Sequence, residues 1–553
     1  MNSSRSSLTL REPQAEPTVP DTSAIEIITK TLARPSLLAK PSLLRKPTKD
    51  ATEVRKSPGS LEAKGNATEL PDEEKGRPPM CDLKRVVTPK GELLYVGWDG
   101  PNDPQNPRNW ATSKKWFLSV VGFFFCSLVS VTVSGYSIVV GSITEELHTS
   151  RELTLAGISL FALTFGSAPL ILAPLSEVWG RRWVYLGSAV IFWLFQIPQA
   201  LAPNIQTMLI ARFITGIGGS TGVSLVGGTL SDLFKNEDRG MPMAAFSFAA
   251  FGATGLGPIM FGYVAQVKGF RLSFWIMFGL SGLFTVVLAL VQQETRAGVL
   301  LSRKAKKLRK STGDSRFVAQ ADEERASLST ILRISLTRPI RLFFTEPVLQ
   351  AFTIWVSFAW CVLYMLLLSI PITFANVYGF NLGQVGISYS AQVVASILGT
   401  ALTFYTEKLY RDDVKRSGPE ARLWSGMAGA ILFPLGCWLF TWSSWASVHW
   451  IVPLIGIVIL YMGLLLIYTT VFSYIADCYT LYAASALASM NLFRNLAGAT
   501  VPLWGITMYD ALGIHGAGTL VAAIATLLSV VPFVAYKYGG RLRERSRFAK
   551  ETG

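Results

Sequence analysis

Residues 174–182 read Pro-Leu-Ser-Glu-Val-Trp-Gly-Arg-Arg, a short polar turn between two long apolar stretches. Gly180 permits a tight turn because it has no side chain. The carboxylate of Glu177 can reach a neighbouring helix N-terminus or the two arginines, Arg181 and Arg182. Basic residues that only mark one side of a membrane would explain the arginines but not the acid. The stretch therefore predicts a charge latch that breaks and reforms between two states.

The apolar stretches around this turn belong to a series of twelve, here called segments 1 to 12. Half of the 553 residues are hydrophobic and only 16% are charged, which excludes an ordinary soluble chain. Each segment is long enough to cross about 30 Å of hydrocarbon as a helix. They cover about 116–140, 153–175, 182–202, 206–231, 240–265, 273–292, 347–372, 384–404, 423–443, 449–471, 482–508 and 516–536.

The order of the segments predicts an all-α membrane protein built from two six-helix halves. Six segments precede a charged loop and six follow it. The first residues are rich in Pro, Ser, Thr, Lys and Glu, a composition typical of disorder. The predicted parts are a disordered tail (1–115), a first half (116–292), a central loop (293–346), a second half (347–536) and a basic tail (537–553).

The net charge of +15 is concentrated in the two tails and the central loop. A basic surface over the whole chain would point to nucleic acid, whereas this distribution is explained by membrane topology, so no nucleic-acid partner is expected. Lys and Arg favour the cytoplasmic side of a membrane, which places both termini there. We expect a multi-pass monomer in the plasma membrane, with the vacuolar membrane as the alternative location.

The sequence lacks the motifs of ATP hydrolysis, metal binding and paired-cysteine chemistry. The chain has no Gly-Lys dipeptide and therefore no P-loop, which disfavours a pump driven directly by ATP. It has three histidines, no His-Glu-x-x-His motif and no His/Cys metal spacing. Its five cysteines include no Cys-x-x-Cys pair. The sequence thus predicts a protein that is not an enzyme and has no metal site and no bound cofactor.

A buried charge in segment 4 is the most informative single residue. A charged side chain inside a membrane helix costs from about 2.5 kcal/mol upward, so it is usually paired, cavity-facing or functional. The helical repeat places Arg212, Gly216 and Gly219 on one face. Small residues there allow another helix to approach closely. The alternative is that Arg212 only extends its head group to the membrane surface.

Segment 5 carries a run of glycines around a proline. Pro258 lacks an N–H and clashes one turn back, so it should kink the helix. The glycines allow close helix packing, and tight packing alone remains an alternative to gating. The residues of this run are Gly252, Gly255, Gly257, Pro258 and Gly262.

Polar residues in the middle of two later segments are candidates for a substrate pocket. Segment 11 carries Asn491, Arg494 and Asn495, and segment 8 carries Tyr389 and Gln392. Such residues also form hydrogen bonds between helices, and the sequence leaves this alternative open. Arg494 suits an anionic or phenolic ligand better than a polycation.

These motifs together resemble the major facilitator superfamily, and specifically its fungal branch of twelve-helix drug:proton antiporters. The turn at 175–182 looks like the superfamily loop motif, Arg212 with Gly216 like the motif of helix 4, and Gly257-Pro258 like the antiporter motif of helix 5. The stretches 101–110 and 476–488 are similar to signatures of this branch. The chain departs from these motifs at Ala173, Val178, Phe261 and Gln293.

The resemblance implies roles for individual residues. Arg212 is expected to support proton coupling, and Gly257 and Pro258 to limit leak. Asp232 is expected to pair with Arg181 and thereby to join the inner latch. Members of the family often have a carboxylate in helix 1 or 4 that carries the proton, but segment 1 has none, so the proton-carrying group is not assigned.

The leading functional hypothesis is proton-coupled export of a small organic molecule, such as a drug, toxin or secondary metabolite. The expected partners are that substrate, protons and the lipid bilayer, and the proton gradient takes the place of a cofactor. A polyamine exporter and a nutrient uptake porter of the same fold are the alternatives. A third class is a sensor or scaffold that transports nothing, which the long N-terminal tail favours.

Overall fold

The computed structural model describes residues 83–88, 91–235, 238–323, 327–546 and 548. Helices make up nearly all of this part of the chain, and three short strands form one small sheet. The predicted disorder of the tail over 1–82 falls outside the described residues, as do 547 and 549–553 of the predicted basic tail.

The first half contains the helices of segments 1 to 6. They are Thr112–Glu146 (segment 1), Arg151–Ser167 and Pro169–Trp179 (segment 2), Arg181–Leu194 and Gln196–Ala200 (segment 3), Ile205–Gly219 and Thr221–Leu233 (segment 4), and Gly240–Val291 (segments 5 and 6). The two pieces of segment 2 meet at 41°. Ser150 caps its first piece by accepting a hydrogen bond from the Leu153 amide.

The second half repeats this arrangement. Its helices are Pro347–Asn376 (segment 7), Leu382–Ser388 and Ser390–Ser417 (segment 8), Leu423–Ser443 (segment 9), Ile451–Cys478 (segment 10), Ala483–Leu528 (segments 11 and 12) and Val531–Arg545 (the end of segment 12). Short 3-10 turns occupy Gly418–Arg422 and Thr480–Tyr482. Asn381 and Gln384 form a capping box that starts segment 8.

The number of membrane segments agrees with the sequence. Eight of the described helices are long and apolar enough to span a bilayer, and the bent pair of segment 2 adds a ninth. Two of the eight contain a glycine in a non-helical conformation, Gly269 or Gly513, which divides each into two segments. The helices over 181–200 provide segment 3. The protein is therefore a multi-pass membrane protein, and its described helices are consistent with twelve segments.

Two pairs of segments make the most extensive contacts between the two halves. Segment 2 packs against segment 11, where a Cβ added to Gly166 would lie 2.4 Å from the Asn495 side chain. Segment 5 packs against segment 8 through its predicted glycines. These contacts place the predicted site residues of segments 5, 8 and 11 at the boundary between the halves.

The chain before segment 1 and the central loop form a small ordered unit, which differs from the predicted tail and loop. β1 (Leu83–Thr88) and β2 (Gly91–Val96) form an antiparallel hairpin, and β3 (Phe317–Val318) pairs in parallel with β2. A 3-10 turn, Pro107–Asn109, precedes segment 1, and the central loop contains the helices Ala297–Thr312, Gln320–Glu323 and Leu328–Thr345.

Apolar and charged contacts hold this unit together. Val96 and Phe317 pack against Ala305 on the first loop helix. On the same helix, the ammonium group of Lys304 lies 2.7 Å from the carboxylate of Asp99 and 3.5 Å from that of Asp103. The order arises from pairing between residues about 220 positions apart, which composition alone does not reveal.

Candidate functional site

The turn between segments 2 and 3 is shaped by Gly180, which has a φ of +99°. A Cβ at this position would lie 2.1 Å from a carboxylate oxygen of Glu294, so glycine is required for space as well as for conformation. The backbone amides of Arg181 and Arg182 donate hydrogen bonds to the same carboxylate at 3.0 and 3.4 Å. Glu294 thus occupies the N-terminus of the segment 3 helix, where a negative charge is stabilised.

The predicted latch residues lie around this turn. The guanidinium of Arg181 is buried and its Nε lies 3.2 Å from the carboxylate of Asp232, the pairing that the resemblance implies. Arg296 lies 3.6 Å from Asp232 and 3.7 Å from Glu177. The Glu177 side chain is 54% exposed, so its ion pair is the weaker of these contacts. Arg182 donates to the carbonyl of Ala289 at 3.4 Å.

Glu294 and Arg296 are latch residues that the sequence analysis did not identify. The departure from the family pattern was noted at the neighbouring Gln293, and Glu177 was expected to reach either a helix N-terminus or the two arginines, whereas Glu294 occupies that N-terminus. The only signal in the sequence is an acid followed closely by a base at the end of an apolar segment. That signal does not identify Arg181, more than 100 positions away in the sequence, as the residue that Glu294 contacts.

The second half repeats the latch six segments later. Arg422, before segment 9, donates to Asp477 at the end of segment 10 and lies 3.4 Å from Glu407 of segment 8. These positions correspond to Arg181, Asp232 and Glu177 in the order of the segments.

Two further contacts near this second latch join it to the ends of the second half. Glu420 accepts two hydrogen bonds from Arg543, at 2.9 and 2.7 Å. Glu346 accepts one from Tyr479, and burial, followed by this neighbouring acid, raises the pKa of the Tyr479 hydroxyl. The signal in the sequence that could have predicted the second latch is the internal duplication, because its charged turns occupy equivalent places in the two halves.

Arg212 is completely buried at the centre of the first half, and it does not extend to the membrane surface. Its Nε and Nη1 donate to the carbonyls of Gly157 and Thr132, both at 3.3 Å. The guanidinium also lies 4.3 Å from the ring centre of Tyr136 and 4.6 Å from that of Phe161. Arg212 therefore ties segment 4 to segments 1 and 2.

Gly216, one turn beyond Arg212, allows this close approach. A Cβ there would lie 2.1 Å from the Thr164 hydroxyl and 2.7 Å from the Phe161 carbonyl. Thr164 in turn donates to the carbonyl of Phe213 at 3.0 Å. A Cβ at Gly219 would lie 3.2 Å from the Val129 side chain and 3.3 Å from the Phe161 ring, so the packing is looser at this position.

The glycines of segment 5 face two different helices. A Cβ at Gly257 would lie 2.6 Å from the amide of Gly135 in segment 1, within the first half. A Cβ at Gly255 would lie 2.7 Å from the carbonyl of Tyr389 in segment 8, across the boundary between the halves. Gly262 packs on segment 8 less closely, because a Cβ there would lie 3.0 Å from the Leu382 carbonyl.

The remaining residues of the run complete this packing. A Cβ at Gly252 would lie 3.6 Å from Ser396, an ordinary contact. The buried Pro258 lies within the helix, and a Cβ on Gly386 of segment 8 would lie 2.4 Å from its carbonyl. The ring of Phe261, which replaces a glycine of the family pattern, packs over Gly135, so segment 1 makes room for it.

Arg494 is the centre of the polar group in segment 11. Its Nε and Nη2 donate to the side-chain oxygen of Asn491 at 3.2 and 2.6 Å. Asn495 donates to the Asn491 carbonyl at 2.7 Å and accepts from the Trp360 indole at 3.1 Å. The Nη1 atom of Arg494 has no hydrogen-bond partner within the part of the chain that the structure describes.

Aromatic rings of the second half surround this arginine, and a ring of the first half packs on them; we call these rings and Arg494 the central cluster. The guanidinium lies 4.0 Å from the ring centre of Trp360, 5.0 Å from Tyr468 and 5.1 Å from Phe472. Phe251 of segment 5 packs against Tyr468 at 5.0 Å and Trp360 at 5.9 Å between ring centres. The cluster is therefore built by segment 5 of the first half and segments 7, 10 and 11 of the second.

The two predicted pocket residues of segment 8 form a separate group. Tyr389 is buried and donates to the carbonyl of Leu367 at 3.2 Å. Gln392 is also buried, and its amide has no hydrogen-bond partner among the described residues. Both pack on Gly255, one turn along segment 5 from Phe251. The sequence indicated Tyr389 and the polar members of both groups, but none of the aromatic rings around Arg494, because aromatic residues are common along the chain.

A cavity of about 220 Å³ lies elsewhere, between segments 7, 10 and 12. Its walls are nearly all apolar and include Val348, Phe352, Tyr474 and Val531. It contains none of the predicted site residues.

Comparison with known proteins agrees with this architecture. A sequence profile of the Major Facilitator Superfamily matches residues 120–502. An efflux pump of Floropilus chiversii, radE, is 32% identical over 464 residues, which cover 82% of this chain and 85% of that protein. Polyamine transporter 3 of Saccharomyces cerevisiae is 32% identical over 446 residues, which cover 80% of this chain and 72% of that protein.

Solved structures share the fold at much lower sequence identity. The proton:xylose symporter XylE bound to a sugar analogue superposes with a TM-score of 0.57 at 15% identity, covering 78% of this chain and 96% of that chain. This likeness concerns the fold alone. Together, the profile match over most of the chain and the relatives at about one-third identity show that this protein belongs to the Major Facilitator Superfamily.

Proposed function

We propose that the protein is a proton-coupled secondary transporter that exports a small organic molecule across the plasma membrane. The observation that carries this proposal is the central cluster, because both halves contribute to its walls. In transporters built from two repeats, the halves rock around a site at their interface and expose it to each side in turn. A cluster shared by Phe251 and Trp360 changes shape whenever the halves move relative to each other.

The direction of transport is inferred from relatives and from segment 5. One similar protein is named an efflux pump and another a multidrug transporter. The glycine run of segment 5 resembles the antiporter motif and packs tightly on segment 8 at Gly255. Such packing supports a seal against proton leak, which an exporter driven by the proton gradient requires. These features favour export over nutrient uptake, and transport over a purely structural or enzymatic role.

Within this proposal the two latches act at the cytoplasmic ends of the segments. The excess of Lys and Arg in the tails and the central loop supports a cytoplasmic location for both termini and for that loop. Arg212 serves proton coupling, because it is buried and joins segments 1, 2 and 4 at a single guanidinium. Export of a polyamine is a second candidate, since one relative is named a polyamine transporter.

Growth and accumulation assays in a fungal host that lacks its own exporters test this function. Cells that express the chain should retain less of at least one toxic compound, and a protonophore should abolish the difference. A variant with Arg151→Gln, a change at the exposed start of segment 2, should behave like the wild type. Faster accumulation in expressing cells would indicate uptake, and unchanged fluxes across a broad panel of compounds would contradict a transport function.

A further inference from the structure

The two arginines buried at the centre of the protein are not balanced by any carboxylate of the described chain. Arg212 is 0% exposed and Arg494 is 1% exposed. Their hydrogen-bond partners are neutral, namely the carbonyls of Gly157 and Thr132 and the amide of Asn491. An arginine keeps its charge in proteins, so the centre of the transporter carries two positive charges.

The buried or nearly buried carboxylates are committed elsewhere, each to its own partner. Glu294 accepts hydrogen bonds from helix amides, Asp232 pairs with Arg181, and Glu420 pairs with Arg543. Asp103 lies beside Lys304, and Glu346 accepts hydrogen bonds from Tyr479 and Ser546. None of these groups belongs to the central cluster.

Each buried arginine also has one guanidinium nitrogen without a hydrogen-bond partner among the described residues, Nη2 of Arg212 and Nη1 of Arg494. Tyr364 of segment 7 interacts electrostatically with both arginines. Its ring lies over Gly498, where an added Cβ would be 2.7 Å away. A phenol group therefore lies near two cations, each of which has a nitrogen without a hydrogen-bond partner among the described residues.

The aromatic rings around Arg494 also indicate the shape of a ligand that would fit beside it. Trp360 and Tyr468 stack at 5.8 Å between ring centres with an angle of 28° between their planes. Phe251 meets both rings edge-on from the other half. Flat faces beside a cation favour a ligand with a planar ring and an acidic substituent, because rings stack and the acid pairs with the guanidinium.

We propose that the exported molecule is an organic anion with a planar aromatic ring, and that its acidic group pairs with Arg494. This inference rests on the proposed function and specifies its substrate class. A buried charge needs a partner of opposite sign, and since no carboxylate of the described residues supplies one here, we assign that part to the substrate. A polyamine would add further positive charge beside Arg212 and Arg494, so the polyamine alternative is disfavoured.

The charge of the substrate has a consequence for energetics. Export of one anion and entry of one proton together transfer the equivalent of two positive charges into the cell. A membrane potential that is negative inside therefore drives this exchange, whereas it would oppose export of a polycation. A neutral substrate exchanged for a proton would show half the charge movement of the anion.

Three probes of the same ring test the substrate class on the purified full-length protein in lipid nanodiscs. They are naphthalene sulfonate, which is anionic, naphthalene sulfonamide, which is neutral, and naphthylmethylammonium, which is cationic. We expect saturable binding of the sulfonate, at least tenfold tighter than that of the other two. Equal or tighter binding of the neutral or cationic probe overturns the proposal, and so does the absence of binding by all three.

Variants of the protein test whether the sulfonate binds at Arg494. Asn491→Asp places a carboxylate against Nε and Nη2 of Arg494 with almost no change of shape, so it should weaken sulfonate binding at least tenfold and leave the sulfonamide unchanged. Arg494→Gln should also weaken sulfonate binding at least tenfold. Arg151→Gln is the matched control for loss of a cation and should bind like the wild type. Wild-type sulfonate binding by a folded Asn491→Asp protein overturns the assignment to Arg494.

The outcomes separate this inference from the proposed function. If proton-driven export is measured for a neutral or cationic compound while the sulfonate is neither bound nor moved, the substrate class is wrong and the export function stands. If the sulfonate binds but no compound is exported, the class of ligand stands and the export function is contradicted.

Discussion

The carboxylate of Glu294 accepts a hydrogen bond from the backbone amide of Arg181 at 3.0 Å, although 113 positions separate the two residues. The same carboxylate accepts hydrogen bonds from the amides of Arg182, Thr295 and Arg296. The end of segment 6 is thereby fixed to the start of segment 3. The latch thus combines the buried pair Arg181–Asp232 with the more exposed pair Arg296–Glu177, and it rests on a buried and fully bonded acid.

Replacement of this acid should affect stability. Glu294→Gln removes the charge from hydrogen bonds that together stabilise the helix N-terminus, and we expect a loss of about 1–3 kcal/mol. The measurement is thermal unfolding of the purified protein, in which the midpoint should fall. Glu177→Gln is the control: its exposed ion pair should contribute less than about 1 kcal/mol, so its midpoint should stay near that of the wild type.

The same control variant should nevertheless be impaired in transport. Glu177 contacts Arg296 at 3.7 Å without being locked in place, so this is the pair that can break when the halves move. We expect export normalised to surface protein to fall in Glu177→Gln while expression stays nearly normal. Full export by this variant would remove Glu177 from the latch.

Arg212→Lys should insert and reach the cell surface but lose most proton-driven export. The guanidinium donates to carbonyls of two different segments and lies over two rings, whereas an ammonium group cannot reproduce this planar set of donors. The measurement is efflux from energised vesicles under an imposed pH gradient. Wild-type efflux would show that a point charge is sufficient at this position.

Gly255→Ala should separate segments 5 and 8. The new methyl group would lie 2.7 Å from the Tyr389 carbonyl, a backbone atom that cannot rotate away. We expect faster decay of an imposed pH gradient across vesicles and lower export. Gly279→Ala is the matched control, because no atom lies within 4 Å of its added methyl group. An intact pH gradient in Gly255→Ala vesicles would contradict a sealing role for this packing.

The orientation of the chain is tested with protease in intact cells. Tags at either terminus and a tag within 303–330 should all be protected from protease added outside. The reason is the excess of Lys and Arg in the tails and the central loop. Cleavage of any of these tags without cell lysis would contradict a cytoplasmic location.

The sequence predicted those features that depend on neighbouring residues. Apolar runs identified the segments, and the special conformation of Gly180 followed from a turn between two of them. The hairpin at 83–96 was missed, because its pairing with residues 317–318 and its packing on Ala305 depend on distant parts of the chain. The central cluster was only partly predicted for the same reason: Arg494 stood out as a charge, but nothing distinguished Phe251, Trp360 and Tyr468 among many aromatics.

Exchange of protons for substrate is the central claim, and it is tested most directly in proteoliposomes that contain the purified full-length protein. The vesicles are loaded with a compound that expressing cells expel, with no pH difference at the start, and a trapped dye reports the internal pH. We predict that protons move inward as the compound leaves, so that the interior acidifies, and that Arg212→Lys abolishes the signal. Movement of protons in the same direction as the compound, or release of the compound with no proton movement, would contradict the account.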